Sequence, residues 1–441
     1  MNKQPQQVRA CRKGWLVCLM LLVISVSASA TQPQTRLIVS DSLGLPGLKV
    51  TCLLMGCNVL EGVGDPKGQV FVVTFPAVLN PVTSLLQLSL QTGVVSVEID
   101  QVVNAAPANS SGTPSYLTDE TPVSYYGSTV WQGYVTQPGN QIVRTGQTQT
   151  AFNVAGAGVT VAVIDTGVDP AHPVLKSVLV NGYDFTRNTP GGSEDVDVPT
   201  TSTSTGASPA TLDQRTVAVL DQRSVAVLDG TSYSDFGHGT MTAGLVHLVA
   251  PQAKIMPLKA FSADGSAYDS DILRAVYYAV ANGAQVINMS WNYSSYSSEL
   301  ASAIQYANSK GVVSVASAGN EGENTVVYPG GLPGVIDVAS TSDNDTQSIF
   351  TNYGAPPVWM AAPGEGIMTT YPWGTYAAGW GTSFSTPLVA GTAALMMGTN
   401  SKCASWTVPY GLADAHYIGD VNLGFGRLDT YQAIQACRLL H

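Results

Sequence analysis

Short apolar runs alternate with amphipathic stretches through the C-terminal two thirds of the chain, and this order predicts an α/β fold. The apolar runs are rich in β-branched residues and stop at Gly, Asp or small polar residues, as buried strands of a parallel sheet do. Apolar residues at helical spacing follow Asp269 as far as Asn282, and a second set runs from Leu300 to Ala307. We therefore expect a mostly parallel sheet with helices on both faces. The candidate strands are 159–164, 254–259, 285–290, 312–317, 335–340 and 358–361.

The first third of the chain has a different pattern, which predicts a small α+β domain. Strand-like runs at 37–39, 70–73 and 94–99 are separated by Gly, Pro and Asn, and the leucines of 85–90 favour a helix or another buried strand. A Pro/Ser/Gly/Thr-rich linker follows, and then a polar segment with Tyr and Trp that we expect to wrap over the next domain. The predicted division is a leader over 1–30, a small domain over 31–103, a linker and N-terminal wrap over 104–134, and the α/β domain over 135–441.

Residues 1–30 have the pattern of a secretory signal peptide. A basic start precedes the apolar run 14–27, and Ala28-Ser29-Ala30 forms a small-residue cleavage site. The run is shorter than the roughly 20 residues that span a bilayer. This pattern predicts a secreted protein with no membrane anchor after signal removal.

Four cysteines remain after the leader, and in an exported protein disulfides are expected. Three pairings are possible, and the spacing favours Cys52 with Cys57 and Cys403 with Cys437. The spacing does not suit zinc, because the five histidines lie elsewhere. The net charge of −11 argues against nucleic acid or an anionic membrane as a partner.

Residues 186–236 interrupt the strand–helix alternation and are predicted to be a surface insertion. They hold an acidic patch at Glu194, Asp195 and Asp197, then a Ser/Thr/Pro tract, then an octapeptide repeated in tandem at 212–219 and 220–227. The two Val-Ala-Val runs of the repeat are suited to pairing as a hairpin. The pattern indicates no chemistry for this region.

Candidate catalytic residues lie where strands end and small-residue helices begin. Ser383 stands at the start of an apolar helix, where free N–H groups and the helix dipole favour negative charge. It is either a nucleophile or a helix cap. A nucleophilic serine needs a histidine base and an orienting carboxylate. His238, in a Gly-His-Gly-Thr turn that opens a helix, and Asp165, at a strand end, suit these roles. The other histidines lack such a setting, and we interpret them as structural.

The chain order Asp165, His238, Ser383 and the sequences around these residues resemble the three catalytic motifs of the subtilisin-like serine proteases (subtilases, peptidase S8 family). The resemblance implies a subtilisin-like fold in which Ser383 attacks the peptide carbonyl, His238 transfers the proton and Asp165 orients His238. It also implies an oxyanion hole made by the Asn320 amide and the Ser383 backbone N–H. The matching segments are 161–167, 237–240, 286–290, 318–322, 328–330, 362–364, 381–387 and 424–429.

The same resemblance assigns a substrate cleft and an inhibitory prosegment. Residues 93–100 resemble the end of a subtilase propeptide, which would act as an intramolecular inhibitor and folding aid. The sequence departs from the family in three places. Trp291-Asn292-Tyr293 stands where the family usually has Leu-Gly-Gly, and these bulkier side chains predict a narrowed primary pocket. The Cys52/Cys57 pair is unusual in a propeptide. The loop that holds a strong calcium site in the family is missing after Gly244. No cofactor is therefore expected to be required, and calcium binding stays an open alternative. The implied cleft residues are Asp264, Gly265, Ser266, Ala267, Ser290, Trp291 and Asn292.

The sequence predicts a secreted, monomeric serine endopeptidase that acts on polypeptides and is made as a zymogen. Two alternatives stay open. One is a catalytically silent binding protein on a subtilase fold, since fold does not fix function. The other is a transpeptidase or macrocyclase that uses the same acyl-enzyme.

Overall fold

The structure, a computed structural model, describes residues 34–76, 80–104, 115–197, 218–220, 235–354, 356–399 and 403–439. The predicted signal peptide lies outside these residues. Residues 35–99 fold into an antiparallel sheet of order β2-β3-β1-β4 with two helices, as expected for a small α+β domain. Its elements are β1 Thr35–Asp41, α1 Gly44–Met55, β2 Asn58–Gly62, β3 Val70–Phe75, α2 Pro81–Ser89 and β4 Val94–Ile99.

The two faces of this small sheet pack against different partners, because side chains alternate along each strand. Leu37 and Val39 face the helices, where they meet Leu48 of α1 and Leu88 of α2. Ile38 points the other way and joins a hydrophobic cluster of the α/β domain. The leucine-rich run at 85–90 therefore belongs largely to a helix, capped at its start by Asn80.

Residues 102–104 and 115–152 follow the small domain and contact the α/β domain. Tyr134 is fully buried, and its hydroxyl donates to the Gly244 carbonyl at 2.6 Å. The Tyr125 hydroxyl likewise donates to the Leu248 carbonyl. These bonds hold the segment against the α/β domain. The segment also contains short helices that the sequence pattern did not predict. The elements are β5 Val102–Asn104, β6 Pro122–Tyr125, β7 Ser128–Trp131, α3 Gln132–Thr136, α4 Pro138–Ile142 and α5 Thr145–Phe152.

The centre of the α/β domain is a sheet of order β10-β9-β12-β8-β14-β15-β16-β17, parallel except at the β9–β10 edge. All six candidate strands from the sequence overlap strands of this sheet. They are β-branched and buried on both sides, as in other parallel sheets. The strands are β8 Thr160–Asp165, β9 Tyr183–Asp184, β10 Thr189–Pro190, β12 Lys254–Lys259, β14 Val286–Met289, β15 Val313–Ser317, β16 Val335–Thr341 and β17 Met360–Pro363.

Helices cover both faces of this sheet, as the α/β prediction requires. Helices α6 and α9 pack together on one face, over Val161 and Val163. Helices α7 and α8 cover the other face, over Ala162 and Ile164. The helices are α6 His238–Val249, α7 Asp269–Ala281, α8 Ser298–Ser309, α9 Thr382–Met397, α10 Val408–Leu412 and α11 Thr430–Leu439.

Smaller strands complete the fold beside the central sheet. Residues 367–379 form a hairpin that the sequence pattern did not predict. The hairpin lies against α6. Within the tandem repeat, 218–220 pairs parallel with this hairpin, while the second Val-Ala-Val run lies outside the described residues, so the predicted repeat hairpin is untested. The strands are β11 Ala218–Leu220, β13 Ser266–Tyr268, β18 Ile367–Tyr371 and β19 Thr375–Gly379.

Candidate active site

Three buried side chains meet where strands of the central sheet end and helices begin. Asp165 is the last residue of β8. His238 is the first residue of α6, and Ser383 is the second residue of α9. The elements carrying Asp165, His238 and Ser383 thus end or begin as the sequence pattern predicted.

The Asp165 carboxylate holds the His238 ring. His238 Nδ1 lies 2.8 Å from Asp165 Oδ1, and Oδ1 also accepts from the Thr166 N–H at 2.7 Å. Burial lowers the pKa of His238, but the charge of Asp165 and its hydrogen bond, together with the charge of Asp235, raise that pKa above its usual value overall. The ring can therefore accept a proton near neutral pH, and Asp165 fixes which nitrogen carries the existing one.

The Ser383 hydroxyl does not bond to His238 in this state. Its Oγ donates to the Ser290 carbonyl at 2.9 Å. His238 Nε2 is buried and has no hydrogen-bond partner among the described residues. The His238 ring lies edge to face with the ring of Phe384, the neighbour of Ser383, at 5.7 Å between centroids. His238 and Ser383 are therefore neighbours, and the bond to a backbone carbonyl holds the Ser383 hydroxyl away from His238.

Asn320 is fixed by the start of α9. Its Oδ1 accepts from both the backbone N–H and the hydroxyl of Thr382, each at 2.9 Å. Because the acceptor end of the amide is engaged in this way, its N–H donors face away from Thr382. Asn320 follows the buried strand β15, and this rigid support suits a donor that must be in place before charge develops.

The first predicted cleft segment is a strand whose edge pairs with the chain that leaves the small domain. Ser266–Tyr268 (β13) forms an antiparallel ladder with Val102–Asn104 (β5), with Ala267 opposite Val103. Asp264 shapes the turn before this strand, since its Oδ1 accepts from the Ser266 N–H at 3.0 Å. Gly265 has φ of +75°, a conformation that favours glycine.

The second predicted cleft segment divides into a wall and a core residue. Asn292 and Tyr293 line a cavity of about 490 Å³, together with Glu321 and Val327. Trp291, in contrast, is only 3% exposed and donates from Nε1 to the Ile164 carbonyl at 2.9 Å. Its indole packs in the hydrophobic core, so the expectation that Trp291 itself narrows the pocket is not supported by its position.

Glu194 is a residue of this site to which the sequence assigned no chemistry. It is fully buried, and its carboxyl group bonds the N–H of Gly237 at 3.0 Å and the hydroxyl of Thr240, on either side of His238. In the sequence, Glu194 is an acidic residue in a stretch without hydrophobic periodicity, and such a residue is normally expected to be exposed to solvent. Residues 186–197 are thus partly built into the site rather than a surface insertion.

Both predicted disulfides are formed, Cys52 with Cys57 and Cys403 with Cys437. His172 and His247 are buried and hydrogen-bonded away from the triad residues, and burial lowers the pKa of both. The described residues contain no group of three or more His, Cys, Asp or Glu side chains able to hold a metal ion. Nor does the described part of the chain contain a helix long and apolar enough to cross a membrane.

Comparison with known proteins identifies the family. Residues 156–411 match the subtilase family, peptidase S8. Thermitase from Thermoactinomyces vulgaris is 32% identical over 301 residues, which cover 66% of this chain and 93% of thermitase. A thermophilic serine proteinase from Bacillus sp. (strain AK1) is 32% identical over 353 residues, 78% of this chain and 77% of that protein. The chain belongs to the subtilase family and is a serine endopeptidase.

Solved structures extend the likeness to the fold. A lanthipeptide protease aligns with a TM-score of 0.53 and 25% identity over 67% of this chain and 93% of its own. Fervidolysin from Fervidobacterium pennivorans aligns with a TM-score of 0.67 over 92% of this chain and 62% of its own. At 21% identity, fervidolysin supports the fold alone.

Proposed function

We propose that this endopeptidase cleaves polypeptides through an acyl-enzyme formed on Ser383, with His238 as the base and Asp165 as its orienting partner. The observation that carries the proposal is the 2.8 Å contact between Asp165 and His238, beside a serine at the start of α9. The raised pKa of His238 suits a base that must take a proton and return it.

The reaction follows from these positions. The Ser383 hydroxyl leaves the Ser290 carbonyl, its Oγ bonds to the peptide carbonyl carbon, and its proton passes to His238 Nε2. The Asn320 amide and the Ser383 N–H bind the oxyanion. The C–N bond then breaks as His238 protonates the leaving amine. Water then attacks the ester carbon and gives its proton to His238. The ester C–O bond breaks as His238 returns a proton to Ser383 Oγ, and the acid is released.

We further propose that the chain is a secreted zymogen whose small domain is an inhibitory prosegment. Strand β5 occupies the edge of β13, where an extended substrate would add a strand. Two acids of the small domain bind helix starts: Glu98 accepts from the Ser298 N–H at 2.8 Å, and Asp100 accepts from the Ser270 N–H at 3.0 Å. These charge-assisted bonds favour docking at the positive ends of α8 and α7.

Maturation by this mechanism would cut between Asn104 and Ser115. Asn104 ends the strand that lies in the cleft, and the Tyr116 hydroxyl already donates to the Gly366 carbonyl of the α/β domain at 2.6 Å. Mass measurement of the secreted protein should therefore give a mature chain that starts in this interval. Full activity with the small domain still attached would contradict its inhibitory role.

The test of the nucleophile is covalent labelling of the mature enzyme by a fluorophosphonate. We expect labelling of the wild type and none of Ser383→Ala. Ser385→Ala is the matched control, because Ser385 lies on the same helix and its hydroxyl donates to the Ala362 carbonyl instead. A folded wild-type enzyme that takes no label would refute catalysis through Ser383 and favour the binding-protein alternative.

A second candidate reaction is transfer of the acyl group to an amine instead of water. The likeness to a lanthipeptide protease makes lanthipeptides a candidate substrate class for either reaction. Mass analysis of the products with and without an added amine nucleophile distinguishes hydrolysis from transfer.

A further inference from the structure

Glu194 lies between the two segments that carry Asp165 and His238. Its carboxyl group is completely buried in a loop that follows β10. Oε2 accepts from the Gly237 N–H at 3.0 Å, and Oε1 accepts from the Thr240 hydroxyl. One carboxyl group therefore bonds to the residues immediately before and shortly after His238.

The same group also reaches the turn that follows Asp165. The Thr166 hydroxyl lies 3.5 Å from Glu194 Oε2, and it accepts from the Gly239 N–H at 2.9 Å. The Thr240 hydroxyl, in turn, accepts from the Asp169 N–H at 2.7 Å. Glu194 thus completes a set of bonds that joins the Asp165 turn to the first turn of α6.

Tight packing leaves these segments little room to move independently. A Cβ at Gly239 would strike the Gly167 carbonyl, and a Cβ at Gly167 would stand 2.7 Å from the Glu194 backbone nitrogen. The three backbones are therefore in direct contact. The Glu194 side chain sets the spacing at the point where they converge.

We propose that Glu194 is a positioning residue that holds His238 against Asp165 in the productive geometry. The inference rests on the proposed triad and adds a fourth residue, which touches neither substrate nor the reacting atoms. Its effect passes through Gly237 and Thr166, the neighbours of the two triad residues.

The surroundings of the Glu194 carboxyl group favour its neutral form. Burial raises the pKa of Glu194 well above its ordinary value, and the charges of Asp195 and Asp169 raise it further, against the Thr240 bond and the charge of Lys259. Lys259 is committed elsewhere, since its Nζ bonds Asp197 at 2.6 Å and the Thr166 carbonyl at 2.7 Å. A glutamine is neutral and has the same shape, so Glu194→Gln should therefore preserve the positioning role of this side chain.

The experiment compares Glu194→Gln, Glu194→Ala and Asp184→Asn with the wild type, each normalised by fluorophosphonate titration of active sites. We expect Glu194→Ala to lower kcat/KM by about 10- to 100-fold with KM little changed, because small misplacements of catalytic groups cost up to about 10²-fold. The acid limb of its pH profile should move to lower pH as His238 loses the support of Asp165. In Glu194→Gln, kcat/KM and KM should stay within about threefold of the wild-type values. The acid limb of its pH profile should stay at the wild-type position.

Asp184→Asn is the control for a merely structural effect. Asp184 is equally buried and belongs to the same part of the chain, but it bonds Thr186 and Arg187 and not the triad segments. Its variant should keep the wild-type pH profile. Wild-type kinetics and pH profile in Glu194→Ala, or the same acid-limb shift in Asp184→Asn, would overturn the proposal.

Two further outcomes are decided in advance. If Glu194→Ala does not fold, Glu194→Asp replaces it, because the shorter side chain cannot reach both Gly237 and Thr240, and wild-type kinetics in that variant would overturn the proposal. A wild-type enzyme without fluorophosphonate labelling would refute the triad itself, a result distinct from any difference between the Glu194 variants.

Discussion

Docking of the small domain should weaken as pH rises from about 4 to 7. Asp269, at the start of α7, is 3% exposed, and its Oδ1 has no hydrogen-bond partner among the described residues. Its backbone N–H donates to the Gln101 carbonyl of the docked chain at 3.1 Å. Burial, followed by the charges of Asp100 and Glu98, raises the pKa of Asp269 from 3.8 to about 7, against hydrogen bonds from Tyr293 and the backbone.

Proton linkage gives the direction in which docking of the small domain changes with pH. The docked state binds the Asp269 proton more tightly than the separated state, so docking is fully supported below the ordinary pKa of 3.8. That support is lost as pH rises, and the loss is complete above about 7. Each pKa unit that the small domain contributes is worth about 1.4 kcal/mol, or a tenfold change in affinity. Between pH 5 and 7 we therefore expect docking to weaken by up to about tenfold per pH unit for this group.

The assay uses the processed enzyme with its small domain bound noncovalently. The bound fraction is measured by size exclusion from pH 5 to 8 at fixed ionic strength. Asp269→Asn should reduce the pH dependence, because the asparagine cannot ionise, and Asp271, whose pKa burial and the charges of Asp100 and Glu61 also raise, should account for part of the remainder. Asp343→Asn is the matched control: burial and the charge of Glu365 raise the pKa of Asp343 to about 6, but Asp343 lies within the α/β domain. Docking that is constant or tighter at higher pH, or an unchanged slope in Asp269→Asn, would refute the linkage.

Three further results are expected. Asn320→Ala should lower kcat by about 10²–10³ with little change in KM, the cost of losing one oxyanion donor in subtilisin, a member of the same family; wild-type kcat would remove Asn320 from the oxyanion hole. Replacing Cys403 and Cys437 by serine should cost about 3–4 kcal/mol in urea unfolding, because the disulfide closes a loop of 34 residues; an unchanged midpoint would contradict this. Tyr134→Phe should lower the unfolding free energy by about 1 kcal/mol, since it removes a buried hydrogen bond to the Gly244 carbonyl; equal thermal stability would show that the bond contributes nothing.

The central sheet was predictable because its signal is local. The run 159–164 is mostly apolar and β-branched, and it forms β8 with a shift of one residue. The helix after 381 was predictable for the same reason, since small and apolar residues continue without a break as far as Met397. Identification of Ser383, His238 and Asp165 as one candidate site required the additional information of their order in the chain.

Features set by distant contacts could not be predicted. Glu194 is buried only because Gly237 and Thr240, more than forty positions away, supply its bonds. Trp291 replaces a smaller residue of the family pattern, and only the structure shows that its indole reaches the Ile164 carbonyl. The helical or extended state of 85–90 was ambiguous because a short leucine-rich run fits either one.

The bond between the Ser383 hydroxyl and the Ser290 carbonyl makes readiness for reaction depend on occupancy of the cleft. A neutral hydrogen bond of this kind is worth only about 1 kcal/mol net, so a substrate N–H that donates to Ser290 can exchange with the serine at little cost. The released hydroxyl is then available to His238 Nε2, which has no hydrogen-bond partner among the described residues until that moment. With β5 paired to β13, Ser383 stays bonded to the Ser290 carbonyl, and we expect a substrate N–H that reaches Ser290 to release the hydroxyl.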